Sequence, residues 1–154
     1  MPLGEGHLPL MALDDLAAFA LLMFEDRTKW SGKTLNVASQ FATGEQIAEA
    51  TSKVAGVKAI YKPITFDKWN SKWSLADLPV SATDSHGPTW GRSFGMWWAA
   101  FEDDILLNTR DLEELRAIYP GLTSAEDWMR KTGYDGTPKP LLKRYIDAKV
   151  GPGF

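Results

Sequence analysis

Trp90, Phe94, Trp97, Trp98, Phe101 and Ile105 fall at offsets 0, 4, 7, 8, 11 and 15, the spacing of one face of a helix. A helix carrying that much ring area cannot stand alone in water, so the rest of the chain must wrap it as a core, a cleft or a subunit contact. Trp97 and Trp98 are adjacent and point about 100° apart on a helix. Unless the face is broad, one of them turns toward a cleft or a second subunit. The plain reading makes these rings core. The functional reading makes Trp90, Phe94 and one of Trp97 or Trp98 the wall of a pocket for a flat apolar molecule, with Tyr61 opposite. Arg92, two residues from Trp90, then clamps an acidic group; otherwise it is a solvated side chain.

The composition fits one globular domain, 1–154. Apolar residues make up 44% of the 154 and charged ones 24%, the balance of an ordinary folded domain long enough to bury a core. The formal charge is −3, and basic residues are scattered, so no cationic stripe exists to neutralise a phosphate backbone and nucleic acid is not expected. Zero cysteines exclude disulfides, thiolate metal sites and thiol nucleophiles. Two histidines and no cysteine argue against zinc. The longest apolar stretch, 16–24, is too short to cross a bilayer, and no basic start leads into an apolar run. The expectation is a soluble, cytoplasmic protein with no membrane partner.

Along the chain, 1–9 holds glycines and prolines and reads as a loop. A short strand is expected over 10–13, and Asp14 as the cap of the helix that follows. In that helix Leu16, Phe19, Ala20 and Met23 make one face while Leu21, Leu22 and Phe24 fill others, so it must be packed on several sides. Trp30 to Lys33 is a turn, and 34–38 alternates like a strand. Thr43 with Gln46 makes a capping box for a helix ended by Gly56. A β-rich run covers 57–64, and 65–73 is helical by the spacing of Phe66, Trp69 and Trp73. Loop character runs over 74–89. A short helix over 111–119 stops at Pro120-Gly121, Thr123 and Glu126 make a second capping box, and a last helix is expected over 141–150.

Three pieces of this pattern resemble the NmrA-like family, atypical relatives of the short-chain dehydrogenases. The first is the strand, aspartate pair and helix from Met11 to Phe24. The second is the Gly32-Lys33 turn, the strand after it and the capped helix from Thr43 to Gly56. The third, looser, is Pro120-Gly121-Leu122-Thr123 followed by Glu126-Asp127-Trp128. Together they touch most of the chain, yet none is a catalytic motif. In that family NADP(H) binds a G-x-x-G-x-x-G turn. Here Gly4 and Gly6 are followed by His7-Leu8-Pro9, without the preceding strand or third glycine that the fingerprint needs. The resemblance therefore implies the carboxyl-side, substrate-facing half of a Rossmann-type protein without its dinucleotide-binding half, and no cofactor held by this chain.

Other chemical motifs have plain explanations. Gly32-Lys33-Thr34 lacks the phosphate-loop glycine five positions earlier, where Arg27 stands. Tyr145 and Lys149 have dehydrogenase spacing, but they lie far from where the fold presents that pair. Asp84-Ser85-His86 are sequence neighbours and cannot converge as a triad. His86, in the irregular loop before the aromatic helix, is the candidate proton carrier, with His7 in the glycine-rich terminus a weaker one; a surface or helix-start histidine is the alternative. Asp15 is explained by the field of a helix N-terminus. Glu102, Asp103 and Asp104 sit at a helix C-terminus, where a basic neighbour is expected.

The expected fold is α+β and helix-rich with a small sheet. An open sheet edge and an all-apolar helix are liabilities in water, and a homodimer or separate protein partner removes them. Three functions fit. One is a domain binding an apolar or aromatic metabolite through Tyr61, Trp90, Arg92, Phe94, Trp97 and Trp98, extended by His86 to cofactor-free isomerisation, cyclisation or dehydration. The others are a non-catalytic regulatory module and a fragment of a split NADP-dependent reductase.

Overall fold

A computed structural model describes residues 1–81, 83–84 and 86–137. It is α+β as expected: helices dominate, and a two-stranded antiparallel sheet joins β1 (Leu8–Leu10) to β2 (Gln40–Ala42). The register pairs Leu8 with Ala42, Pro9 with Phe41 and Leu10 with Gln40. Pro9 has no N–H to give, which a three-residue strand with a single neighbour tolerates. Between the strands lie α1 (Leu13–Glu25) and the single turn α2 (Arg27–Trp30); α3 (Gly44–Ala55) follows β2.

Local chemistry explains α3 completely. Thr43 accepts from Gln46 N–H while the Gln46 side chain accepts from Thr43 N–H, and Gly56 closes the helix at φ 67°. The next helices are α4 (Phe66–Asn70), capped by Thr65, and α5 (Trp90–Glu102), capped by Thr89. A 3-10 turn (Leu107–Thr109) leads to α6 (Leu112–Ile118), where Asp111 accepts from Glu113 and Glu114 N–H. Finally α7 (Ala125–Thr132) runs along α3 and ends at Gly133, φ 64°.

Several expectations are corrected. Only Leu10 of 10–13 is in a strand; Leu13 already opens α1, whose N-cap is Ala12 with no side-chain cap. Asp14 is therefore inside the first turn rather than capping it. The run 34–38 is not a strand: Arg110 Nε donates to Val37 O at 3.1 Å in place of a strand neighbour, and the Asn36 side chain donates to Thr109 O at 3.2 Å. The strand begins two residues later. The run 57–64 is also irregular; Ser52 Oγ takes the Ala59 N–H at 2.9 Å in place of a strand neighbour. The helix over 65–73 stops at Asn70, leaving Trp73 in a turn whose N–H reaches Asn70 O. Ser124, not Thr123, caps α7. The helix expected over 141–150, with Tyr145 and Lys149, lies outside the described residues.

Apolar side chains gather in a buried core and in a half-buried aromatic group. Leu3, Phe19 of α1, Ala38, Ala42 and Leu115 of α6 are each buried, and Phe19 meets Tyr119 edge-on at 5.8 Å. Ala50 and Met129 close the contact of α3 with α7. The second gathering is aromatic. Trp69 and Trp73 interlock with Trp90, Phe94 and Trp98, ring centroids 5.0 to 6.4 Å apart. Among the described residues no helix is long and apolar enough to cross a membrane.

Candidate functional site

The β1–α1 junction, α3 and α7 enclose a groove of about 510 Å³. Its lining is mostly apolar: Leu10, Met11 and Leu13 from the junction, Ile47 from α3, Trp128 and Met129 from α7. Leu13 is 79% exposed and Trp128 45% exposed. Both are helix positions where a polar residue would cost nothing, so the fold holds two large apolar side chains open to water beside a concavity. One rim carries an ion pair, Lys131 Nζ to Asp14 Oδ2 at 2.6 Å. The hydrogen bond and charge of Lys131 lower the Asp14 carboxyl below its ordinary value, and Asp14 raises Lys131 in turn.

Beneath the groove sits a buried carboxylate. Asp15, 1% exposed, accepts from Ser39 Oγ at 2.7 Å, Thr123 N–H at 2.7 Å and Thr123 Oγ1 at 2.9 Å. Ser39 Oγ also accepts from Ala12 N–H at 3.1 Å. Gln40 Oε1 takes the first amide of α7, Ala125 N–H, at 2.8 Å. Both walls of the groove are thus fixed from below by polar groups of the segment 39–40. This is why Thr123 does not cap α7: its hydroxyl and amide are spent on Asp15, and Ser124 caps instead, its Oγ accepting from Asp127 N–H and donating to the Asp127 carboxylate at 2.6 Å.

The residues singled out in the sequence fall elsewhere. Trp90, Phe94 and Trp98 belong to the aromatic gathering between α4 and α5. Trp97 points out of it, 57% exposed and resting on Phe101 at 6.0 Å. Arg92 is exposed on α5. Tyr61 stands apart: its ring lies over Gly44, where a Cβ would fall 2.4 Å from it, and its hydroxyl donates toward Gly4 O at 3.2 Å or Met1 O at 3.3 Å. Burial raises its phenol above the ordinary value. His86 sits in an exposed turn, its N–H on Asp84 Oδ1 at 3.1 Å. The structure therefore brings Trp90, Phe94 and Trp98 together and leaves Tyr61, Arg92, Trp97 and His86 outside that group.

His7 finds the partner that the acidic run at the end of α5 demanded: its ring Nδ1 lies 3.1 Å from Asp104, whose carboxylate also takes the His7 N–H at 2.8 Å. Sequence reasoning gave His7 little weight and put Asp15 down to the field at a helix N-terminus. Asp15 had a signal, being the second of two acids where one suffices at a helix start. Among the described residues no three His, Asp or Glu side chains converge on a metal position.

Residues 1–81, which hold β1, the junction, α1, β2, α3 and Tyr61, match the profile of the NmrA-like family. The chain belongs to the NmrA-like family. The comparison with curated proteins finds no match. Of the three pieces that carried the resemblance, the first two lie inside the matched segment, and Leu10 to Asp14 and Ile47 of the groove are NmrA-like residues in that sense. The α7 wall lies beyond it.

Proposed function

We propose that this NmrA-like chain is a binding domain for a flat, apolar small molecule, and that the groove between the β1–α1 junction and α7 is where it binds. One observation carries the reading. Leu13 and Trp128 are held open to water on facing walls of a concavity of about 510 Å³, within the size range of small-molecule sites. Thr123, Ser124 and Thr132 line it as well, but their hydroxyls are bonded within the protein to Asp15, Asp127 and Trp128 O, so apolar contact carries the binding. The two nearby carboxylates are engaged, Asp14 by Lys131 and Asp15 by Thr123 and Ser39, so the groove favours binding over acid–base turnover. The aromatic rings on α5, to which the sequence joined Tyr61, Arg92 and His86, are the competing location, although Tyr61 lies elsewhere over Gly44. Those rings already fill one another's contacts.

The test is titration with N-phenyl-1-naphthylamine, a neutral flat fluorophore, followed by its own emission. Trp128→Ala and Leu13→Ser should each weaken binding about tenfold, equivalent to about 1.4 kcal/mol. Trp97→Ala should leave it unchanged. Loss of binding in the Trp97 variant with retention in the Trp128 variant would move the site to α5 and overturn the reading.

A further inference from the structure

The outward face of α1 is apolar from end to end. Leu13, Leu16, Ala17, Ala20, Leu21 and Phe24 are all exposed, with Leu13 79%, Leu16 44%, Leu21 57% and Phe24 77% open. At 3.6 residues per turn these six fall within an arc of about 140°. The opposite face is the one that packs, through Asp15 and Phe19. A water-facing helix surface of this kind needs a cover.

The order of the six side chains says what that cover is. Read from either end the stripe runs large, large, small, small, large, large. Each residue has its counterpart at the same distance from a centre between Ala18 and Phe19: Leu13 with Phe24, Leu16 with Leu21, Ala17 with Ala20. An isologous contact requires a surface that complements itself under a two-fold rotation. Two antiparallel copies of α1 satisfy this, with the alanines at the crossing, where small side chains let helix axes approach to about 8 Å.

We infer that this face binds a second copy of the same chain, α1 against α1 in antiparallel register. The contact would bury on the order of 1,000 Å² in total, the low end for specific interfaces, so a concentration-dependent equilibrium is expected. It would also bring Phe24 of the partner subunit against Leu13 at the rim of the groove, a consequence that rests on the binding reading above; the dimer itself does not.

Because the chain has no cysteine, single introduced thiols report the register. Ala17→Cys and Ala20→Cys proteins are oxidised separately and as a mixture, and sedimentation is followed from about 1 to 100 µM. The expected result is a monomer–dimer equilibrium, abolished in Leu21→Glu with an unchanged far-UV spectrum, and a 17–20 cross-link that forms in the mixture several-fold faster than either like pair. A monomer throughout that range, a dimer indifferent to Leu21→Glu, predominant like-residue cross-links, or capture of the stripe by a different protein in place of a second copy would each overturn the inference.

Discussion

Asp15 and Thr123 are 108 positions apart and meet at two points, Thr123 N–H on Oδ2 at 2.7 Å and Thr123 Oγ1 on Oδ1 at 2.9 Å. The contact locks the start of α1 to the entrance of α7, the two walls of the groove. It also sets the phase of α7, since Thr123 can no longer serve as the cap.

That geometry separates charge from hydrogen bonding. In Asp15→Ala the Thr123 amide and the Ser39 hydroxyl lose their acceptor inside the protein, which should cost about 3 kcal/mol. In Asp15→Asn a carbonyl at the Oδ2 position still accepts both, and the amide can donate to a Thr123 hydroxyl that turns to receive it. The expected loss is about 1 kcal/mol, the charge assistance alone. Urea unfolding of the two variants measures both; equal losses would show that the carboxylate's charge, not its lone pairs, holds the contact.

Gly44 reverses the usual ranking of helix formers. Alanine normally exceeds glycine in a helix by about 1 kcal/mol. Here a Cβ would lie 2.4 to 2.6 Å from the Tyr61 ring, and moving the ring pulls the hydroxyl from Gly4 O and Met1 O. Gly44→Ala should therefore destabilise by about 1–3 kcal/mol. In a Tyr61→Ala background the same change should be neutral or favourable. Additive losses in this double-mutant cycle, read by thermal unfolding, would contradict the contact.

Elements whose ends are set by neighbouring residues were legible in the sequence. Thr43, Gln46 and Gly56 fix α3 among themselves, and Asp111 and Thr89 mark helix starts without help from afar. The misplaced elements depend on distant groups. Whether 34–38 is a strand turned on Arg110 and Asn36 reaching across the fold, and whether Thr123 or Ser124 caps α7 turned on Asp15. The aromatic spacing on α5 gave the helix, though Trp97 turns out of the ring group and Ile105 lies past the helix end, and periodicity cannot say whether rings line a cavity or fill each other's contacts. The groove was not legible, because its walls come from the junction after β1 and from α7. The apolar surplus of α1 was visible; that its residues Leu13 to Phe24 mirror one another became meaningful only once Phe19 and Asp15 showed which face is buried.

The pair Asp14–Lys131 on the groove rim gives a pH signature with a definite sign. Asp14 has a lowered folded value, so the unfolded carboxyl binds its proton more readily. Its contribution is present above the unfolded value of about 3.9 and is lost as pH falls through the folded one. Lys131 is raised, so its contribution is present below the unfolded value of about 10.4 and is lost as pH rises through the folded one. Both causes are the same contact, hydrogen bond first and charge second. The stability difference between the parent and Asp14→Asn should thus be flat from about pH 5 to 9 and shrink outside that window. Because both side chains are exposed, 74% and 64%, the difference is small and should fade in about 1 M salt, where screening acts within about 3 Å. Denaturation midpoints across pH and salt report it. A difference that grew toward low pH, or survived high salt undiminished, would mean that Asp14 acts on something other than Lys131.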